Sequence, residues 1–172
     1  MHAAVAGGAE ICLIPEIPYD IKAVKARIQK RINLGRGFAN IVIAEGAKPK
    51  DGDVVSQESD EVGYQNVRLG GAGMRLKTEL KESGLNQDVR TTILGHLQRG
   101  GVPSAYDRVL ASQFGVKAFE MVLEKDFGKM VAYKHPDIVS VHIKDSIEQY
   151  NTIKADDRLL KTARGLGICM GD

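Results

Sequence analysis

The chain has 172 residues, within the range of one domain, and 43% of them are hydrophobic, enough for a buried core. Its 24 basic and 22 acidic residues leave a net charge of +2, which gives no support to binding of nucleic acid or of an anionic membrane. No apolar run approaches the roughly 20 residues that span a bilayer, and the first residues lack a signal-peptide pattern, so we expect a cytoplasmic protein.

The first part of the sequence predicts a strand, a helix and a second strand. Glu10–Ile14 is a continuous apolar run closed by prolines, which is typical of a strand covered on both faces. Asp20 can cap a helix whose apolar residues recur every three or four positions, and Gly35 can end it. Ile41–Ala44 reads as a second buried strand. Together they predict a right-handed βαβ unit.

The remaining patterns alternate between helix and strand. They predict, in order, a polar loop at Lys48–Asn66, a helix containing Leu76 and Leu80, a strand at Thr91–Leu94, a long helix at Ala105–Leu123, short strands at Met130–Tyr133 and Ile138–His142, and a helix from Asp156 to Gly165. This order indicates an α/β fold with a mostly parallel sheet and flanking helices.

Two further features concern the state of the chain. Ala3–Gly8 reads as the end of a helix, so the chain begins inside an element and is expected to be a fragment. Cys12 and Cys169 lie far apart, and one is inside an apolar run. We therefore expect buried or free thiols in a reducing compartment rather than a disulfide.

The most informative stretch is Arg90–Gly101, with the sequence RTTILGHLQRGG. A buried strand followed by a polar tip and a glycine bend is how α/β proteins place ligand-binding groups at the carboxyl edge of a sheet. His96 and Arg99 are three residues apart and can both donate to one phosphate. On its own, however, a histidine after a strand is more often structural.

This stretch resembles the signature of the 6-phosphofructokinases, which is an arginine, a short strand, Gly-His-x-Gln-Arg-Gly-Gly, a proline and Tyr-Asp-Arg. The matching residues are Arg90, Gly95, His96, Gln98, Arg99, Gly100, Gly101, Pro103, Tyr106, Asp107 and Arg108. The resemblance fades after about Phe127 and corresponds to the C-terminal half of the enzyme. It implies a two-lobed phosphofructokinase-like fold. Residues 1–97 would form the sugar-phosphate-binding lobe, residues 98–150 would belong to the nucleotide-side lobe, and residues 151–172 would return to the first.

The resemblance also implies substrate-binding roles for four residues. Positions matching His96 and Arg99 bind the 6-phosphate of fructose 6-phosphate in this family, and the position matching Arg90 reaches across a subunit interface to the same phosphate. The position matching Glu45 hydrogen-bonds the sugar hydroxyls, which suits a carboxylate acceptor. Without the resemblance, Glu45 reads as a solvated loop glutamate at the end of the second strand.

A second, regulatory site is implied at the beginning of the chain. Gly7-Gly8-Ala9-Glu10 resembles the effector-nucleotide site of bacterial phosphofructokinases, where the acid helps to hold a metal-bound diphosphate. Effector binding would thus involve Gly8, Glu10 and Arg36, the last lying near a family lysine position. This chain departs from the polar family positions nearby at Leu34, Gly37 and Phe38.

The activity implied is transfer of phosphate from ATP, or from pyrophosphate, with Mg²⁺ to the 1-hydroxyl of fructose 6-phosphate in glycolysis, by a homo-oligomer (dimer or tetramer) that shares sites between subunits. The glycine-rich donor loop, the metal-binding acid and the Thr-x-Asp-x-Asp catalytic segment of the family are not found in this sequence. We therefore expect no catalytic or metal-binding residue here and no activity from the chain alone. The alternative is a non-catalytic sugar-phosphate-binding or regulatory module.

Overall fold

The computed structural model describes residues 1–52, 56–57, 68–69, 71–148 and 151–172; at residues 56, 57, 68, 69, 96 and 99 only the backbone is described. The chain divides into two compact units, and each is described by itself. Unit 1 consists of Met1–Ile93 and Ile153–Asp172, and unit 2 is Leu94–Thr152. In the described ranges no helix has the length and apolar character needed to cross a membrane.

Helices and short strands alternate along the chain. In order they are α1 (His2–Ala6), β1 (Ile11–Leu13), α2 (Ile21–Asn33), β2 (Ile41–Ile43), β3 (Ser56–Gln57), β4 (Arg68–Leu69), α3 (Ala72–Glu82), a 3-10 helix (Gly95–Arg99), α4 (Ala105–Leu123), β5 (Lys129–Lys134), β6 (Asp137–His142), α5 (Ile143–Glu148) and α6 (Arg158–Gly165).

The predicted βαβ unit is confirmed in unit 1. Strands β1 and β2 are parallel, with Ile11 opposite Ile41, and α2 connects them. The Asp20 carboxylate caps α2 by accepting a hydrogen bond from the Lys22 N–H at 2.7 Å. At the other end Gly35 adopts a φ of 77°, the left-handed conformation that commonly ends a helix.

Both faces of β1 are buried, as its continuous apolar run predicts. On one face Ile11 and Leu13 pack with apolar residues of α2 and α3, whose buried members are Val24, Ile28, Leu76 and Leu80. On the opposite face Cys12 and Ile14 pack with residues of α1 and α6, namely Ala4, Leu160 and Ala163. Alternate side chains of one strand therefore join two separate clusters, which fixes the strand between two layers of helices.

The free edge of β1 is covered by residues from the far end of the chain. The Cys12 N–H donates to the Cys169 carbonyl at 2.9 Å, and the Cys169 N–H donates to the Glu10 carbonyl at 3.0 Å. The Asp20 N–H in turn donates to the Gly171 carbonyl at 2.6 Å. Both cysteines are free thiols, as predicted.

Unit 2 contains the long helix α4 and the antiparallel pair β5–β6. Ser104 and Asp107 begin α4 with a reciprocal capping box: the Asp107 N–H donates to Ser104 Oγ at 3.2 Å, and the Ser104 N–H donates to Asp107 Oδ2 at 2.8 Å. The helix and both strands were predicted within a few residues. The short helix α5 was not predicted.

The predicted strand Thr91–Leu94 is wrong. Residues 91–94 form neither helix nor strand, and a 3-10 helix follows at once. Ile93 and Leu94 are 65% and 49% exposed, so the apolar run does not enter a sheet core. Strand propensity produces a strand only where a neighbouring strand offers hydrogen bonds and burial, and this segment lies where unit 1 ends and unit 2 begins.

The predicted polar loop Lys48–Asn66 falls largely outside the described residues. Its described parts include β3, which pairs in antiparallel fashion with β4.

Candidate functional site

Glu45 lies at the carboxyl end of the parallel pair. Strand β2 ends at Ile43, and a tight turn follows in which the Ala47 N–H donates to the Ala44 carbonyl at 2.9 Å. The turn leaves the Glu45 side chain exposed. The carboxyl ends of parallel strands are where open α/β sheets bind ligands. The structure therefore gives Glu45 the position that its placement after β2 predicts.

The first amide group of α3 contacts this glutamate. Gly71 is the N-cap residue and has no side chain with which to cap the helix. The Ala72 N–H instead lies 3.4 Å from Glu45 Oε2, so a carboxylate from β2 serves the helix end. Among the described residues, no group donates to Glu45 Oε1. One oxygen is thus held by the helix and the other can accept from a ligand.

A chain of polar contacts holds the turn that carries Glu45. Arg75, in the first part of α3, donates from NH2 to the Ala47 carbonyl at 2.7 Å. Its Nε lies 3.5 Å from Glu79 Oε1, and Glu79 Oε2 accepts a hydrogen bond from the fully buried Tyr19 hydroxyl at 2.8 Å. Burial, reinforced by the Glu79 carboxylate, raises the pKa of Tyr19 to about 12, so the hydroxyl stays protonated and keeps donating.

Arg90 also belongs to unit 1 and lies on its surface. Its Nε is 3.1 Å from Asp88 Oδ2, and the two side chains are 91% and 76% exposed. An ion pair this exposed contributes little to stability, because water competes for both groups. The guanidinium can therefore leave Asp88 for a phosphate at small cost. Thr91, the next residue, approaches α3 at Gly73.

His96 and Arg99 lie on the 3-10 helix Gly95–Arg99 of unit 2. Positions three apart in a 3-10 helix fall on the same side, so the backbone is compatible with both residues serving one ligand. Gly101 follows with a φ of 103° and lets the chain turn toward α4. Their assignment to the 6-phosphate stays a prediction.

The structure gives Glu10 an internal set of partners. The residue is only 7% exposed; its Oε2 accepts from the Asn40 N–H at 2.6 Å, and its Oε1 lies 2.8 Å from Arg31 NH2. Arg31 also donates to the Phe38 carbonyl at 2.7 Å and lies over the Phe38 ring, 5.4 Å from its centroid. A metal-bound diphosphate would have to displace Arg31 to reach this carboxylate.

The other two predicted effector residues are at the surface of unit 1. Gly8 has a φ of 63°, and Arg36 is exposed in the segment between α2 and β2. Effector binding by Gly8, Glu10 and Arg36 stays a prediction.

The described residues do not fit a resident metal. Among them, no three side chains of His, Cys, Asp or Glu come together as a ligand set. We therefore assign no step to a metal on this part of the chain.

Two features near Glu45 were missed by sequence reasoning. Arg75 holds the Glu45 turn, and no sequence signal points to it, because its acceptor on Ala47 is 28 residues away along the chain. Gly73 was not identified either, although a glycine inside the first turn of a helical pattern is a signal for close packing.

Comparison with known proteins decides the family. The phosphofructokinase family model matches residues 1–122. The chain belongs to the phosphofructokinase family. ATP-dependent 6-phosphofructokinase 1 of Synechocystis is 41% identical over 172 residues, which is 100% of this chain and 46% of that protein. ATP-dependent 6-phosphofructokinase 3 of Streptomyces coelicolor is 42% identical over 153 residues, covering 89% of this chain and 45% of the relative.

The fold is also that of a phosphofructokinase. The structure of the phosphofructokinase from Saccharomyces cerevisiae matches 85% of this chain with a TM-score of 0.56 and 30% identity, and the match covers 18% of the yeast chain. The α/β architecture with a parallel pair between helices is therefore confirmed. The chain spans about half the length of the curated relatives it matches.

Proposed function

We propose that this chain is the C-terminal, fructose 6-phosphate-binding part of an ATP-dependent 6-phosphofructokinase. The observation that carries the proposal is the family match over residues 1–122, together with full-length alignment of this chain to a relative named as such an enzyme. The reaction would transfer the terminal phosphoryl group of ATP to the 1-hydroxyl of fructose 6-phosphate. The names of these relatives, ATP-dependent 6-phosphofructokinases, favour ATP over pyrophosphate as donor.

The residues available here suit the acceptor sugar phosphate. Glu45 has an oxygen that can accept from sugar hydroxyls. Arg90, His96 and Arg99 are donors, and the two guanidinium groups can bind phosphate with two parallel hydrogen bonds. The glutamate suits the hydroxyl groups of fructose 6-phosphate, and the cationic side chains suit its phosphate.

The donor side is assigned to the part of the enzyme that this chain does not contain. We propose that ATP and Mg²⁺ are held mainly there. Residues 1–97 and 151–172 would form the sugar-phosphate lobe, and residues 98–150 would belong to the nucleotide-side lobe.

We further propose a homo-oligomer in which Arg90 serves the sugar phosphate of a neighbouring subunit. The exposure of Arg90 and its weak pairing with Asp88 support this role, because a surface arginine is available to another chain.

Calorimetric titration of the chain with fructose 6-phosphate tests the proposal. We expect binding, and Glu45→Gln should weaken it about tenfold or more, since a hydrogen bond to a charged acceptor contributes roughly 1.5–3 kcal/mol. Glu82→Gln is the matched control, because Glu82 is an exposed glutamate at the end of α3. Equal affinity for inorganic phosphate and fructose 6-phosphate would indicate a general anion-binding module, and no binding by the unmodified chain would reject the proposal.

A coupled assay tests the division of roles. We expect no turnover of fructose 6-phosphate by the chain alone with either ATP or pyrophosphate, because positioning of the donor phosphates would be missing. Turnover above the blank that disappears in Arg99→Ala would contradict this expectation.

A further inference from the structure

Gly73 occupies an unusual position in α3. It lies in the first turn of the helix with an ordinary helical φ, where alanine would be the better helix former. A Cβ atom built on Gly73 would lie 2.9 Å from Thr91 Cγ2 and 4.0 Å from Ile43 Cγ2. The missing side chain therefore makes room for Thr91 at the point where β2 ends.

This contact connects two residues assigned to the sugar phosphate. Arg90 immediately precedes Thr91, which meets Gly73. Ala72 immediately precedes Gly73, and its N–H contacts Glu45. All of these residues belong to unit 1. The Gly73–Thr91 contact therefore joins the backbone that carries Arg90 to the helix end that orients Glu45.

Thr91 cannot yield easily if Gly73 acquires a methyl group. A β-branched side chain is stiff at χ1, so its Cγ2 cannot swing away without a change of rotamer. Thr91 is also partly buried, which limits the space for a new rotamer. An added methyl would therefore move the Thr91 backbone, the first turn of α3, or both.

We propose that Gly73 and Thr91 are positioning residues for the sugar-phosphate site: their contact sets the positions of Arg90 and of the α3 N-terminus that holds Glu45. This inference rests on the proposed function. Neither residue needs to touch the substrate. The methyl group of Thr91 fills the space left open by Gly73. This fit fixes the backbone that presents Arg90 to a neighbouring subunit and the α3 N-terminus that orients Glu45 in the chain's own site.

A swap of one methyl group across the contact tests the inference. Gly73→Ala adds a methyl at residue 73, and Thr91→Ser removes the Cγ2 methyl at residue 91. We expect Gly73→Ala to weaken fructose 6-phosphate binding by the chain about tenfold, equivalent to 1.4 kcal/mol. Thr91→Ser alone should weaken it about threefold by loosening the contact. The double variant should bind within about twofold of the unmodified chain, because the methyl has only changed sides.

The controls separate positioning from stability. Gly115→Ala is matched, because Gly115 lies inside α4 and a Cβ there meets nothing within 4 Å. Thr91→Val keeps Cγ2 and should leave binding unchanged. Melting temperatures accompany each titration, and Gly73→Ala should lose affinity without a matching loss of melting temperature. If Gly73→Ala does not fold, the contrast between Thr91→Val and Thr91→Ser decides the question.

Two results would overturn the inference alone: unchanged affinity in Gly73→Ala, or an affinity loss in the double variant equal to the product of the two single losses. If Gly73→Ala fails to fold, unchanged affinity in Thr91→Ser would likewise overturn the inference. Absence of fructose 6-phosphate binding by the unmodified chain is a separate outcome, and it would overturn the proposed function together with this inference.

Discussion

Glu10 and Glu45 show how the surroundings of a carboxylate decide what it can do. Both lie next to a strand of the parallel pair, yet Glu10 is buried and both of its oxygens are engaged by Arg31 and the Asn40 N–H. Glu45 is exposed, and among the described residues it accepts a hydrogen bond only from the Ala72 N–H at the start of α3. Of these two carboxylates, Glu45 is therefore the one with an oxygen ready for a ligand.

Tyr19 stabilises unit 1, and this stabilisation is lost at alkaline pH. Its folded-state pKa is about 12, above the usual value near 10, so its contribution is complete below pH 10 and is lost as pH rises through 12. We expect Tyr19→Phe to cost about 1–3 kcal/mol at neutral pH through the lost hydrogen bond to Glu79. Between about pH 10 and pH 12 the difference in unfolding free energy between this variant and the unmodified chain should shrink. Urea unfolding measures this difference in unfolding free energy, and Tyr106→Phe, at an exposed tyrosine, is the control.

Gly171 packs so closely against Tyr19 and Leu13 that no side chain fits at this position. Its φ is 88°, and a Cβ there would lie 2.5 Å from Tyr19 Cβ and 2.9 Å from Leu13 Cδ2. Gly171→Ala should therefore lower the free energy of unfolding by about 2–4 kcal/mol through strain and overpacking together. Gly35→Ala isolates the strain, because Gly35 has a φ of 77° and open space at Cβ, and it should cost about 1–2 kcal/mol. Equal losses in the two variants would contradict a role for the close approach.

At the scale of elements, periodic patterns predicted the structure well where packing is local. Helices α2, α3 and α4 follow apolar spacings and have recognisable ends, and β1 reads directly as a buried run. The strand expected at Thr91–Leu94 failed because a strand depends on a partner that the run itself does not specify. Helix α5, with six residues and none buried, is too short to produce a pattern.

In the candidate site, too, local features were predictable from the sequence and contacts between elements were not. The position of Glu45 follows from its placement after β2, so the sequence was sufficient to predict it. The groups that orient Glu45 come from α3, and residues 44–71 between the two elements are too many for the sequence to fix how α3 approaches β2. Contacts of this kind depend on the packed structure rather than on local sequence.

Because of the capping box, we expect the stability of the N-terminal end of α4 to depend on pH. Hydrogen bonds from Ser104 hold the pKa of the Asp107 carboxyl below its usual range, so this stabilisation is present above the usual pKa and is lost as pH falls through the lowered value. Ser104→Ala should lower the melting temperature by about 2–4 °C at pH 7. The difference from the unmodified chain should shrink at acidic pH. Circular dichroism measures both, and Ser112→Ala is the control, since Ser112 Oγ only donates to the Arg108 carbonyl within the helix.

At the scale of the whole molecule, α4 presents an apolar surface. Val109, Val116, Phe119 and Leu123 are 59–67% exposed, and a groove of about 540 Å³ beside them is lined partly by Ile138 of β6. Contiguous apolar surface of this kind usually marks contact with another chain or segment. In this structure the apolar side of α4 is exposed.

This surface should bind hydrophobic dyes and promote self-association. Replacing Val116 and Phe119 together by Gln should lower the fluorescence of an added naphthalene sulfonate dye and reduce concentration-dependent association, because both apolar side chains are removed while helix propensity is kept. Lys117→Gln on the same helix is the control. Unchanged dye fluorescence and association in the double variant would show that the α4 surface is not responsible.

The pairing of β1 with residues near Cys169 has a consequence for synthesis in the cell. β1 leaves the ribosome well before the residues that cover its edge and before helix α6, which helps to cover one of its faces. At roughly 5–20 residues per second, the nascent chain waits about ten to thirty seconds for them. Throughout that interval the Cys12 and Ile14 side of the strand lacks its contacts with α6, and its backbone is unpaired at one edge. The exposure of this strand to chaperones and proteases therefore lasts until the residues around Cys169 have been made.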